Sequence, residues 1–283
     1  MNEGFAGSWP APAKINLFLH VLGRRQDGYH DIQTLFQLLD WGDEVHIRPA
    51  SGALIARRPV SYDVPESEDL VVKAAKLLQS ETGCRRGAEI GVTKRIPPGS
   101  GMGGGSSDAA TVLLVLNRLW DCGLDLDQLA CLGATLGADV PVFIQGRSAM
   151  AEGVGERLQA VRLGRRHCVL VFPGFSISTG EVFSDPLLPR DSGRISLPKA
   201  LGGEGRNDCE AVVRKRFPAI TQMLVALQEW GRPVMTGTGS GFFIPMHDKK
   251  TAMSAAKAMK TLYNVRAVQG VDRSCVHEKL DSC

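Results

Sequence analysis

The chain has 283 residues, 43% of them hydrophobic and 22% charged, with a formal net charge of +3. This is the make-up of an ordinary globular protein long enough for about two domains, and so mild a positive balance gives no electrostatic footprint for nucleic acid. Seven cysteines at positions 84, 122, 131, 168, 209, 275 and 283 form no Cys-x-x-Cys pair, which argues for free thiols and against structural zinc; with no run of eighteen apolar residues and no signal-peptide pattern, the expectation is a cytoplasmic protein without a membrane partner.

Lys14 to Val21 alternates as a strand does, with Ile15, Leu17, Leu19 and Val21 on one face and Lys14, Asn16, Phe18 and His20 on the other. Lys14 and Asn16 are therefore neighbours. Their spacing alone favours a solvated polar face over a cation and an amide addressing one substrate oxygen. Asp27-Gly28 supplies a turn that delivers Tyr29 and His30 into the next segment. Glu44 to Arg48 and Ala53 to Ala56 read as a strand pair around the turn Ala50-Ser51-Gly52. Pro65 and Ser67 then introduce an amphipathic helix with Leu70, Val71, Ala74, Leu77 and Leu78 on one stripe, ending near Gly83.

Residues 97–107 read Pro-Pro-Gly-Ser-Gly-Met-Gly-Gly-Gly-Ser-Ser and carry the strongest functional signal. Before them Ala88, Ile90, Val92 and Ile96 recur at even spacing; after them Asp108 to Trp120 is apolar and helix-forming. In a strand–loop–helix order, glycines bring the backbone close to a ligand, and the helix start offers free N–H groups and a positive dipole end, a geometry that suits phosphate. No lysine follows the glycines as Walker A requires. Gly99, Gly101 and Gly104 match a dinucleotide fingerprint, but the loop sits unusually late for that fold, and the protein-kinase signatures His-Arg-Asp and Asp-Phe-Gly are absent.

Farther along, Asp125 or Asp127 starts a helix through Leu136, with Gly137 at its C′ position. Ala138-Asp139-Val140-Pro141 follows and leads into an expected strand, Val142-Phe143-Ile144. A carboxylate at such a helix exit either closes an Asx turn or accepts a proton from a substrate hydroxyl. A composition shift near Gly153-Val154-Gly155 suggests a second unit, giving expected domains at 1–155 and 156–283. His167 to Phe172 reads as a strand, 186–206 as an irregular connection, and Asp208 to Arg216 and Ile220 to Trp230 as helices. Val234 to Ile244 reads as a hairpin whose Gly237, Gly239 and Gly241 also bring N–H groups within reach of an anion. The basic clusters Arg85-Arg86, Arg165-Arg166 and Arg214-Lys215-Arg216 lack interleaved aromatics and read as solvated faces.

Three signals thus stand in one order: Pro-Ala-Lys-Ile-Asn-Leu, the glycine-serine loop, and Thr-Gly-Thr-Gly-Ser-Gly at 236–241. Together they resemble the GHMP kinase superfamily. Asp27-Gly28-Tyr29-His30, Leu136 to Pro141, Glu152 to Glu156 and Asn207 to Glu210 resemble, within it, the kinases of the non-mevalonate isoprenoid route that act on a cytidine diphosphate derivative of methylerythritol. The resemblance implies an α+β fold with two lobes, an N-terminal ATP-binding lobe related to a ribosomal-protein domain and a ferredoxin-like C-terminal substrate lobe. It implies ATP as co-substrate, phosphorylation of the C2 hydroxyl, and a small-molecule substrate as partner, with neither nucleic acid nor membrane. It also implies Asp139 as general base, Lys14 as the lysine steadying the hydroxyl and developing charge, and Asn16 as a further hold on that hydroxyl. By the same resemblance, Pro97, Pro98, Gly99, Ser100, Gly101, Met102, Gly103, Gly104, Gly105, Ser106 and Ser107 are expected to form the ATP loop. The resemblance further implies that Tyr29 and Phe183 stack on the cytosine, that His30 reads its edge, and that Val154 and Thr179 line the cleft. Mg²⁺ is expected, with Ser106, Ser107 and Asp139 as candidate ligands. Asp108 stands where the family often has Asn. Competing readings are another GHMP kinase acting on mevalonate, homoserine or a sugar, and a non-enzymatic ATP-binding sensor.

Overall fold

The computed structural model describes residues 7–58 and 62–283. Its frame is a long antiparallel pair, β1 (Gly7–Arg24) and β2 (His30–Ala50), whose register sets Lys14 opposite Leu38 and Asn16 opposite Phe36. Along β2, strand β4 (Gly87–Thr93) pairs with the far half, and β5 (Ala149–Gly153) with the near half. Strand β3 (Ile55–Arg57) extends the sheet beyond β4, and β6 (Arg157–Ala160) extends it beyond β5. Strand β10 (Asn264–Val271) joins β2 through Gly270 and Val271 only, and carries β7 (Arg166–Phe172), β9 (Phe242–Met246) and β8 (Val234–Met235) on its other side. The described strands form one mixed sheet around two main hydrophobic cores, in keeping with the expected α+β class.

Helices α1 (Leu70–Thr82), α2 (Gly104–Leu119), α3 (Leu126–Leu136) and α4 (Val140–Gln145) close the first core. Helix α1 starts at Asp69, whose carboxylate accepts from the Val71 N–H, and stops at Gly83 in the left-handed conformation. Helix α2 begins inside the glycine run, earlier than the expected Asp108, and is buried from Ser107 to Asn117. Asp125 and Gln128 build a reciprocal capping box for α3. The second core is closed by α5 (Thr179–Ser184), α7 (Cys209–Arg216), α8 (Pro218–Leu227) and α9 (Lys249–Met259); α6 (Leu197–Leu201) interrupts the irregular connection. Helix α10 (Cys275–Asp281) returns to place Val276 and Leu280 in the first core. Residues 155 and 156 lie in the turn between the paired strands β5 and β6.

Four local expectations are corrected. Glu44 to Arg48 and the segment at 53–56 do not pair: β4 inserts between them, antiparallel to β2 and parallel to β3. The run Val142-Phe143-Ile144 is helical, because Pro141 occupies the first turn of α4, Gly146 stops it in the left-handed region, and a short apolar run carries no periodicity of its own. Gly137 ends α3 with extended backbone at φ 170° instead of a left-handed cap. Bulges after Pro12, Asn16 and Val21 break the even alternation of β1, so Ile15 packs in one cluster while Leu19 and Val21 pack in another. Among the described residues no helix is long and apolar enough to cross a membrane, and all seven cysteines are free.

Candidate active site

A cleft of about 930 Å³ runs between the glycine loop and the segment that carries Tyr29 and His30. On its floor, β1 holds Lys14 at 2% exposure. A buried ammonium needs acceptors close by. Lys14 Nζ donates to Asn16 Oδ1 at 2.7 Å and to the Gly101 carbonyl at 3.0 Å, lies 3.2 Å from Asp139 Oδ2, and sits 5.2 Å from the centroid of the Phe36 ring. Asn16 is held in turn: its amide donates to Thr34 Oγ1 at 2.8 Å, and its backbone N–H donates to Thr236 Oγ1 at 2.9 Å. The solvated face that the spacing favours is corrected: Lys14 and Asn16 share a buried face, with Asn16 directed at the lysine.

Asp139 precedes α4, and its side chain makes no capping hydrogen bond. The Asx-turn alternative is thereby removed; the carboxylate, 31% exposed, is left to Lys14 and to the cleft. Gly133 permits this placement, since a Cβ there would stand 2.6 Å from both Val140 Cγ1 and Ile144 Cδ1. Close approach of α3 and α4 thus aims Asp139 across at β1.

Gly99, Gly101 and Gly103 all adopt left-handed φ, from 64° to 73°, and α2 starts from Gly103 with no side-chain cap. The first N–H groups of a long buried helix therefore point into a cleft lined by Pro97 to Ser106. Ser107 departs from expectation: its hydroxyl donates to the Pro12 carbonyl at 2.7 Å and its N–H to the Gly103 carbonyl at 2.8 Å, so it lies outside the cleft. Ser106 lines the cleft, and its hydroxyl has no partner among the described residues.

Of the three glycines in the second loop, Gly237 lines the cleft, while the N–H groups of the other two and of Ser240 are taken inside the protein. The N–H groups of Ser240 and Gly241 donate to the carbonyls of Gly99 and Ser100 at 2.9 and 3.1 Å, and the Gly239 N–H donates to Thr236. It acts as a clamp on the first loop. A Cβ on Gly101 would stand 2.2 Å from the Thr236 carbonyl oxygen, so only glycine allows the two backbones this approach.

At one end of the cleft, Lys94 bridges Asp43 and Asp108, with its Nζ 2.8 Å from Asp108 Oδ2. Asp108 Oδ1 is buried without a partner, and burial pushes this carboxyl up to about 7 against the pull of Lys94, with Asp43 adding repulsion. Toward the other end, the rings of His30 and Phe183 lie 5.1 Å apart and tilted by 30°. Tyr29 stands at the rim, 64% exposed. Burial, with the charges of Arg190 and Arg24, holds the His30 imidazole below its ordinary pKa. Thr179 Oγ1 meets Thr238 Oγ1 at 3.0 Å, and the Val154 N–H donates to Glu156 at 2.6 Å; both residues line the cleft. Sequence reasoning missed Lys94, Asp43 and Arg190. These lie far apart in the chain, and no local spacing links them.

A family model described as "GHMP kinases N terminal domain" matches residues 69–147, the segment that carries the glycine loop and Asp139. Fold, loop and matched domain define a GHMP kinase. A 4-diphosphocytidyl-2-C-methyl-D-erythritol kinase of Halorhodospira halophila is 50% identical over 272 residues, covering 95% of this chain and 94% of that protein. The enzyme of the same name from Pseudomonas paraeruginosa is 46% identical, covering 97% and 98%. A crystal structure of 4-(cytidine 5'-diphospho)-2C-methyl-D-erythritol kinase superposes with a TM-score of 0.81 at 36% identity, over 93% of this chain and 99% of that one. The chain belongs to the 4-diphosphocytidyl-2-C-methyl-D-erythritol kinase family.

Two outcomes follow from this geometry. Gly101→Ala incurs roughly 1–2 kcal/mol for the left-handed backbone alone, in addition to the collision with Thr236. It should lower the melting temperature and weaken ATP binding; calorimetry showing both unchanged would contradict the clamp. Asp108 binds its proton more tightly in the folded chain, so its unfavourable contribution is absent below about pH 4 and grows as pH rises through about 7. Asp108→Asn should therefore gain thermal stability relative to the parent at pH 8 more than at pH 5. A larger loss at pH 8 than at pH 5 would contradict the assignment.

Proposed function

We propose that this chain transfers the γ-phosphoryl group of ATP to the C2 hydroxyl of 4-diphosphocytidyl-2-C-methyl-D-erythritol. The observation that carries the reading is the buried Lys14 paired with an uncapped Asp139 beside the open start of α2. Phosphoryl transfer asks mainly for positioning and charge neutralisation. Asp139 takes the proton of the attacking hydroxyl as the hydroxyl oxygen bonds to the γ-phosphorus and the bond from that phosphorus to the β,γ-bridging oxygen breaks, releasing ADP; Lys14 stabilises the charge that develops on the oxygens. Asn16 fixes the lysine. The glycine loop from Pro97 to Ser106 cradles the phosphates through backbone N–H groups.

The cytidine end supplies orientation. Tyr29 and Phe183 stack on the base, His30 meets its hydrogen-bonding edge, and Val154 and Thr179 line the path between base and alcohol. Binding energy gathered there holds a distant hydroxyl in line with the γ-phosphate. Mg²⁺ suits a site with few protein ligands, because it keeps several waters and draws oxygens from the phosphates. Ser106, with its unpartnered hydroxyl, and Asp139 would hold it. When bound, it neutralises charge on the phosphate oxygens. Ser107, bonded to Pro12, is not among its ligands.

The test is ADP release with ATP, Mg²⁺ and the cytidylyl alcohol, run beside mevalonate and homoserine. Turnover with the cytidylyl substrate alone is expected; turnover only with another alcohol would overturn the substrate assignment. Phe183→Ala and Tyr29→Ala should each raise KM for the cytidylyl substrate roughly 5- to 100-fold, on the scale of base stacking on aromatic rings, while KM for ATP stays constant. A KM for the cytidylyl substrate left unchanged in both would remove the stacking roles.

A further inference from the structure

We propose that Arg190 fixes the position of the proton on His30 and thereby makes the site select cytosine over uracil. This rests on the cytidine site described under the proposed function and adds to it the residue that sets base selectivity. Arg190 lies in the irregular connection, 160 residues from His30 in sequence, yet its Nε–H points at His30 Nε2 across 3.0 Å.

The chemistry of the pair leaves one arrangement. A guanidinium stays protonated and can only donate, so His30 Nε2 must present its lone pair. His30 is 8% exposed, and burial together with the neighbouring arginine charges favours the neutral ring. A neutral ring that accepts at Nε2 carries its proton on Nδ1. No described residue bonds to Nδ1, and the ring lines the cleft beside Phe183.

The guanidinium has no freedom to offer a different contact. Its Nη1 donates to the Leu188 carbonyl at 3.0 Å, and its Nη2 donates to the carbonyls of Phe183 and Asp185 at 2.9 and 2.8 Å. One side chain therefore anchors the end of α5, which bears the stacking ring, and orients the ring that meets the base edge. A fixed Nδ1–H donor complements N3 of cytosine, which accepts a hydrogen bond. It opposes N3 of uracil, which carries a hydrogen. The alternative tautomer would reverse that preference.

The experiment compares binding of CMP and UMP to the full chain and to the variants Arg190→Met and Arg190→Lys, with the His30 tautomer followed by ¹⁵N NMR. The parent should show the Nδ1–H tautomer and bind CMP roughly 5- to 150-fold more tightly than UMP, the range set by leaving one buried polar group unpaired. Arg190→Met should populate the Nε2–H tautomer and bring the ratio toward one. Arg190→Lys, which still donates to Nε2, should keep much of the ratio. An anchoring role alone would weaken both nucleotides equally and leave the ratio unchanged, which would overturn the proposal. So would an Nε2–H tautomer or equal binding of CMP and UMP in the parent, measurements that need no variant to fold. A parent that prefers CMP but does not turn over the cytidylyl alcohol would sink the kinase assignment and leave this proposal standing.

Discussion

The site depends on one buried cation. Lys14 is almost sealed from solvent, and burying an ammonium is costly unless acceptors surround it. Its acceptors come from three separated parts of the chain: Asn16 on its own strand, the Gly101 carbonyl of the loop, and Asp139 before α4. Satisfying that charge therefore fixes where the loop and α4 sit relative to β1. The same arrangement leaves an uncapped carboxylate and an uncapped helix start facing one cleft.

The second glycine loop extends this constraint across the sheet. It carries the Thr236 hydroxyl that receives the Asn16 N–H, and it grips Gly99 and Ser100 through Ser240 and Gly241. The first glycine loop is thus held from both sides, by Lys14 and by the clamp. Although the two glycine runs look alike in composition, much of the second is spent on holding the first. At the far end, Arg190 holds the His30 ring through its Nε–H as Asn16 holds the Lys14 ammonium through its Oδ1.

The parts legible in the sequence were those with local physical signatures. The glycine run before a buried helix, the Asp125 cap, and the even spacing of Lys14 and Asn16 each depend on a few adjacent residues, and each appears in the structure. Val142 to Ile144 was misread because a short apolar run fits strand or helix equally, and Pro141 and Gly146 decided the matter. The strand pair expected around Gly52 failed because β4, arriving more than thirty residues later, took the place beside β2. Lys94 with Asp43 and Asp108, and Arg190 with His30, are pairings made by topology alone. Ser107 matched the motif but, one helical step past Ser106, turns toward Pro12.

The most direct measurement is the turnover of Asp139→Asn, with ATP and cytidylyl-substrate binding measured alongside. The amide keeps the size of the side chain but cannot take the hydroxyl proton. Turnover should fall by roughly 10²- to 10⁴-fold, the usual contribution of a positioned general base, while both ligands still bind. Turnover within a few fold of the parent would contradict the account of Lys14 and Asp139 as the reacting pair.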